Sequence, residues 1–326
     1  MDKRQSRAVR IARLIQKLPL RLLRVFEWPF LLFANMNKDT TPAIFIFALP
    51  RSGSTLTYQS ICHGLSVNYL SNIWNLLYQL PILGGYLSSK RASHHKSDFT
   101  SQHGFVSGID GPAEGMVFWS WWLGCDLSED LKSTPSLKKM NKRAKYLRKV
   151  VTFFGNRKAP FITAYLGHSL VPDRVDNAFP GSVFIRLHRE PVANALSILK
   201  SLRQGESSWF SVKPKECEGA EKESEHFAVA SQVYWLNKRL DDAECSNKML
   251  SISYEALCEN PCKEIARVVE ACEKHGLSIS KKFPLPDKFS YKKADLNADY
   301  DAIKIKKELD KLESKYGKLR EITRSH

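Results

Sequence analysis

The sequence predicts a three-layer α/β fold, a central parallel sheet covered by helices on both faces. Short apolar runs suited to buried strands alternate with segments of helical spacing. The first such run breaks into a tight Pro-Arg-Ser-Gly-Ser-Thr turn and resumes as a helix. Strand and helix repeating at these intervals need crossover connections, and crossovers put helices on both faces of a sheet. The 326 residues suffice for one large domain, and there is no internal repeat and no second core-sized region.

The first segment, residues 1–40, is basic. Within it KLPLRLLRVFEWPFLLFA (17–34) has the apolarity of a membrane span, but Arg21, Arg24 and Glu27 interrupt it. Each central charge costs about 2.5–3.5 kcal/mol on insertion scales, and the uninterrupted remainder is too short to cross a bilayer. Arg7, Arg10, Arg13, Lys17, Arg21 and Arg24 recur every three or four residues with apolar residues between them. That is a basic amphipathic helix, which either lies on an anionic membrane surface or packs its apolar stripe on the domain. No cleavable signal is evident, so a cytoplasmic protein, peripheral to a membrane at most, is expected.

The principal domain is expected over 41–280. AIFIFAL (43–49) reads as a buried strand bounded by Pro at both ends, with a helix from Thr55 to about 65. Residues 68–90 are mixed and aromatic, and 91–111, rich in Ser, His, Gly and Asp, read as a long loop. Met116 to Leu123 carries three Trp and fits a buried or substrate-facing helix. Residues 131–149 hold eight basic residues and no acid, as on a solvated helix face or an anion-attracting patch. FITAYLG (161–167) is a second strand, followed by a short helix over 172–178. SVFIRLH (182–188) is a third strand, and Pro191 suits the first turn of the helix after it. Residues 207–223 read as a flexible insertion and 226–243 as a helix. KMLSISY (248–254) is a fourth strand, and 261–274 a helix. The Lys-rich tail, 281–326, contains a helix over 301–316.

Charge bounds the partners. Fifty Lys and Arg against 34 Asp and Glu give a net +16, which favours an anionic partner: a polyphosphorylated small molecule, an acidic glycan, nucleic acid or a membrane. Seven scattered Cys, of which Cys258 and Cys262 come nearest to a pair, suit a reducing compartment and give no metal-like cluster.

The turn after the first strand carries the chemistry. Successive backbone N–H groups there make a concave anion nest, and the helix behind adds its partial positive charge. Arg51 adds a full charge, and Ser54 and Thr55 add hydroxyls. The loop lacks the Gly-Lys-Ser/Thr ending of a nucleotide triphosphatase. The 182–188 and 248–254 strands do not end in the Asp that would hold magnesium. Metal-assisted hydrolysis of a nucleotide, and a phosphate-loop kinase, are therefore disfavoured.

FALPRSGSTLTYQSI, FPGSVFIRLHREPVANALSILKSL and MLSISYEALCENPCKEIARVVE, in that order, resemble the three successive signatures of sulfotransferases that use 3′-phosphoadenylyl sulfate (PAPS). The resemblance covers about 43–275 and implies a fold like that of the phosphate-loop nucleoside triphosphatases, with PAPS as donor and no metal. It implies that Arg51, Ser52, Gly53, Ser54 and Thr55 grip the 5′-phosphosulfate, that Arg189 and Ser197 hold the 3′-phosphate, and that Tyr254 lies near the adenine. A later basic or glycine-containing segment often closes over the 3′-phosphate in this family; Lys281, Lys282, Lys292 and Lys293 are the substitutes here, without a clean motif. Many relatives also carry a Lys near the end of the second strand, where this chain has Thr163 and Ala164.

Glu114 is the expected base. DGPAE (110–114) resembles an Asp-x-Pro-x-Glu segment of many bacterial members, and Pro112 would place Glu114 in the first turn of a helix, with Asp110 supporting it or capping that helix. His103, in a loop expected over the pocket, is the second candidate, ahead of His63, His94, His95 and His168. The acceptor is a hydroxyl, expected on a glycan or glycolipid, with Trp119, Trp121 and Trp122 available to stack on sugar rings. The alternative function is a non-catalytic basic protein on the same fold that binds membrane surface or nucleic acid. No nucleic-acid motif is present, so none is expected as a partner.

Overall fold

A computed structural model describes residues 42–320 apart from 93, 102–103, 125, 127–136, 157, 206 and 292–297, together with residues 14, 16, 17, 22, 23, 25, 27 and 29. Five parallel strands form the sheet: β1 (Ile44–Phe47), β2 (Asn68–Tyr69), β3 (Phe161–Thr163), β4 (Val183–His188) and β5 (Met249–Ser253). Their spatial order is β2-β3-β1-β4-β5. Central β1, all Ile and Phe, is completely buried, as a continuous apolar run in a sheet covered on both faces must be. Ile44 lies opposite Ile162 on one side and Val183 on the other, and Phe47 pairs with Arg186. From β1 the chain goes out to β2 and β3, then crosses back to β4 and β5. The switch point is the crevice beyond the carboxyl ends of β1 and β4, where α/β sheets bind ligands.

The α-helices among the described residues after 42 are α1 (Ser54–Gly64), α2 (Asn72–Leu76), α3 (Pro81–Ala92), α4 (Met116–Leu123), α5 (Leu137–Phe154), α6 (Pro172–Ala178), α7 (Pro191–Arg203), α8 (Glu225–Asp242), α9 (Tyr254–Glu259), α10 (Pro261–Lys274) and α11 (Tyr300–Tyr316). Local chemistry sets several starts. Glu190 accepts hydrogen bonds from the Val192 and Ala193 amides ahead of Pro191, and Asn260 accepts from the Lys263 amide ahead of Pro261. Helix α1 packs on α10, while α7, α8 and α11 pack together. In α11, Ala302, Ile305, Leu309 and Leu312 recur every three or four residues and join the main core. Arg203 at the end of α7 ties down the starts of α8 and α11 through Glu225 (2.5 Å) and Asp301 (2.6 Å). Those two carboxylates and His226 lie close enough together to suggest a metal site, but Arg203 already supplies their cation.

Four elements depart from the sequence expectation. β2 has no counterpart in the sequence pattern, because two residues of an edge strand carry no periodicity. The second strand ends at Thr163 rather than 167. The Ser169 hydroxyl accepts from the Ala48 N–H and donates to the Ala48 carbonyl (2.9 Å each), taking over backbone groups that a longer ladder would use. Tyr254 does not end β5 but begins α9, because Ser253 caps the Ala256 amide. Residues 207–223 are not a flexible insertion. Val212 and Cys217 are fully buried, and Lys213 pairs with Glu221 at 3.0 Å.

Of the amphipathic N-terminal segment, Leu23 and Glu27 are buried on the domain. No helix among the described residues is long and apolar enough to cross a membrane.

Candidate active site

The turn after β1 is held open by its neighbours. The Ser52 amide and hydroxyl both donate back to the Leu49 carbonyl, at 3.2 and 2.7 Å. Asn194 of α7 donates to the Pro50 carbonyl at 2.7 Å, and Arg189 donates to the Arg51 carbonyl at 2.9 Å. Arg51 itself has φ +60°, a left-handed conformation that costs a non-glycine residue about 1–2 kcal/mol.

At Gly53 (φ +95°) a Cβ would sit 2.1 Å from Cδ2 of Tyr254. The tyrosine ring therefore lies directly on the loop, and Arg189 covers that ring at 4.8 Å in a cation–π contact. Gly53→Ala combines a strained backbone with a collision against a half-buried ring. Calorimetric titration of the variant with an adenosine bisphosphate is expected to show affinity reduced at least 100-fold; unchanged affinity would show that the loop and ring do not act as one unit.

A cleft of about 310 Å³ opens at this point. Arg51, Gly53, Ser54, Thr55, Glu114, Arg189 and Tyr254 all line it, joined by Pro50, Leu56, Ser101, Gly104, Leu166, Phe210 and Ser211. Six of the expected donor-site residues are thus brought together with the expected base. Ser52 is not in the lining; its buried hydroxyl fastens the loop from inside. Ser197 is not in the lining either, and its hydroxyl accepts from Arg51 Nε at 3.4 Å. His103 lies outside the described residues.

Glu114 reaches the cleft from outside any helix, a correction to the first-turn placement. Helix α4 begins at Met116, and Gly115 (φ +79°) precedes it where a Cβ would meet Leu70 Cδ2 at 2.0 Å. The Ala113 amide donates to the Leu70 carbonyl (2.7 Å), so the segment before Glu114 is tied to the end of β2. A single point at Gly104 is 3.5 Å from Glu114 Oε1 and 3.6 Å from Thr55 Oγ1, which puts the carboxylate across a narrow gap from the loop helix. Burial pushes the Glu114 carboxyl up to about 7. Asp110 neither supports Glu114 nor caps α4; it pairs with Arg91 at 3.5 Å.

No histidine among the described residues lines the cleft. His63 Nδ1 accepts from the Ser97 amide, leaving Nε2–H to donate to the Pro284 carbonyl (3.0 Å). His168 is fully buried among Phe45, Trp119 and Tyr165, and burial drives its pKa down to about 3. Trp119 and Trp122 are core residues bonded to Thr163 and to the Tyr78 carbonyl, so they offer no platform for a sugar. Lys282 donates to the Cys62 carbonyl at the far end of α1, away from the cleft. Lys281 is not in the cleft lining, and Lys292 and Lys293 lie outside the described residues. The tail does approach the site through Tyr291, whose ring centre is 6.0 Å from that of Tyr254.

Residues 210 and 211 escaped the sequence reading. Ser211 has φ +64°, and Gln232 of α8, almost fully buried, donates to the carbonyls on either side of it, those of Phe210 (2.7 Å) and Val212 (2.6 Å). Strain persists where surroundings over-determine the backbone, and binding sites collect such residues. No local pattern marks Ser211, because its conformation is imposed by a helix some twenty residues on.

The chain matches the model described as the sulfotransferase family over residues 42–275. No curated protein matches it. Among solved structures it is similar to sulfotransferase STF9 from Mycobacterium avium, at 12% identity over 91% of this chain and 74% of that one, TM-score 0.46. A sulfotransferase from Alicyclobacillus acidocaldarius is 17% identical over 85% and 96%, TM-score 0.40. The sulfotransferase domain from the Synechococcus PCC 7002 olefin synthase is 16% identical over 73% and 74%, TM-score 0.38.

Proposed function

This chain belongs to the sulfotransferase family, and from that premise we propose that it transfers a sulfuryl group from PAPS to an acceptor hydroxyl, with Glu114 as base. The observation that carries the reading is one cleft uniting the loop amides, two arginines and a carboxyl whose pKa is near 7. Those residues fit the donor: the anion nest and Arg51 suit its 5′ end, Arg189 a second phosphate, and Tyr254 a flat base. The bound donor supplies the sulfuryl group and a phosphate leaving group.

The protein's own share of the chemistry is threefold. Arg51, the loop N–H groups and the start of α1 stabilise negative charge at one fixed place. Arg189 serves two ends at once, bonding the Arg51 carbonyl while covering Tyr254. Glu114, when ionised, accepts the acceptor's hydroxyl proton at its carboxylate oxygen. The acceptor is proposed to be a glycan or glycolipid on the strength of the basic surface alone, since Trp119 and Trp122 are buried and Trp121, packed against Tyr78 and Arg143, does not line the cleft.

Thermal melting tests the donor assignment. At about 100 times its dissociation constant, 3′,5′-adenosine bisphosphate (PAP) stabilises by about 2.7 kcal/mol, a rise of ~4 °C for a chain of this size. Arg189→Ala is expected to lose most of that rise. A shift with magnesium-ATP and none with PAP would overturn the donor assignment in favour of a kinase.

A further inference from the structure

Glu27 joins three elements into one surface. One oxygen of its buried carboxylate accepts from the Ile82 and Leu83 amides (2.8 and 3.3 Å), capping the start of α3, and the other accepts from the Tyr146 hydroxyl of α5 at 3.3 Å. The N-terminal segment is therefore seated where α3 meets α5, a contact that Gly85 and Phe154 make close. Glu27 is the sole acid between residues 3 and 37, where eight Lys and Arg fall, and it points inward.

What faces outward is apolar and basic. Leu23 and Glu27, four apart, are buried, whereas Leu22 and Val25, on the opposite side of that turn, are 53% and 65% exposed. On α5, Lys142, Tyr146, Lys149 and Phe153 form one stripe at helical spacing beside Glu27. Lys142 and Phe153 in that stripe are exposed. Residues 131–154 contain no acid. Through the Glu27–Tyr146 contact, exposed Leu22 and Val25 are placed beside the basic helix, although the two are distant in sequence.

We propose that this face docks on an anionic bilayer, with Leu22 and Val25 entering the headgroup boundary and the α5 lysines meeting lipid phosphates. Exposed aliphatic side chains gain nothing against a nucleic-acid backbone but are buried by a bilayer, while the flanking cations select anionic lipid. The docking is independent of the reaction in the cleft.

The test is co-sedimentation of the full chain with phosphatidylcholine vesicles, with and without 30% phosphatidylserine. Binding is expected only to the anionic vesicles and is expected to vanish at high salt. Lys142→Glu with Lys149→Glu should weaken it by about 30-fold or more, at about 1 kcal/mol per surface cation. Leu22→Asp with Val25→Asp should weaken it at least tenfold. Both pairs should keep the wild-type melting temperature, which reports that they are folded. Equal binding to neutral vesicles, no binding, or indifference to both pairs would overturn the proposal. So would tighter binding to duplex DNA than to vesicles, or a dimer that the same substitutions dissociate.

Discussion

Glu114→Gln is expected to lower turnover by about 10²–10⁴-fold, the range attributed to a positioned base, while PAP still raises the melting temperature. Gln keeps the size and polarity of the side chain but accepts no proton. The pH dependence supplies a separate check. A base must be ionised, so wild-type turnover should rise as pH climbs through about 7 and level off above it. Stability runs the other way. Because burial raises the carboxyl pKa in the folded protein, the native state binds more protons than the unfolded chain between the ordinary glutamate value and about 7. Wild-type stability therefore falls with rising pH across that window, and the lost stability stays lost above it. The Gln variant has no such charge to bury and should melt higher than wild type at pH 8. Retained turnover, or a pH profile flat around 7, would remove Glu114 as the base.

That combination of acid position and perturbed environment was only half legible. Glu114 could be picked out because DGPAE, between the first two signatures, resembles an Asp-x-Pro-x-Glu segment of the family. Its placement could not, because the decisive contact is between Gly115 and Leu70, some forty-five residues apart. The same division runs through the fold. β1 is a short, wholly apolar run between two prolines, and its burial follows from composition; β4 is apolar but for Arg186 and His188, and Arg186 is buried only because Asp241 and Asn237 meet it. β2 exists because Asn68 and Tyr69 meet β3 at an edge, a tertiary fact with no local pattern. The 207–223 segment, polar and interrupted by Ser, Gly and Pro, reads as a loop, yet Gln232 pins its start and Cys217 plugs its middle. Sequence marks groups that bind anions by type and spacing. Which of them turn inward, as Ser52 does, depends on partners such as the Leu49 carbonyl, which type and spacing do not specify.

Arg51 is where the fold's interest and the site's interest diverge most, and Arg51→Gly should expose the divergence. The residue sits at φ +60°, where an L-amino acid is strained by about 1–2 kcal/mol and glycine is not. Glycine's larger unfolded-state entropy offsets about 0.5–1 kcal/mol of that gain, so the variant should melt no lower than wild type. Turnover should nevertheless fall by about 10²–10³-fold, the loss that follows removal of one preorganised donor aimed at developing charge. The PAP shift should shrink less than it does in Arg189→Ala, because the loop amides and the start of α1 still face the 5′ end. Arg51→Lys separates charge from geometry: it restores a cation but not the fork that bonds Ser197 at 3.4 Å, and should recover turnover only in part. A glycine variant as active as wild type would mean that the strain at this position serves the loop's shape alone, and the task of stabilising the leaving group would then fall to the backbone amides.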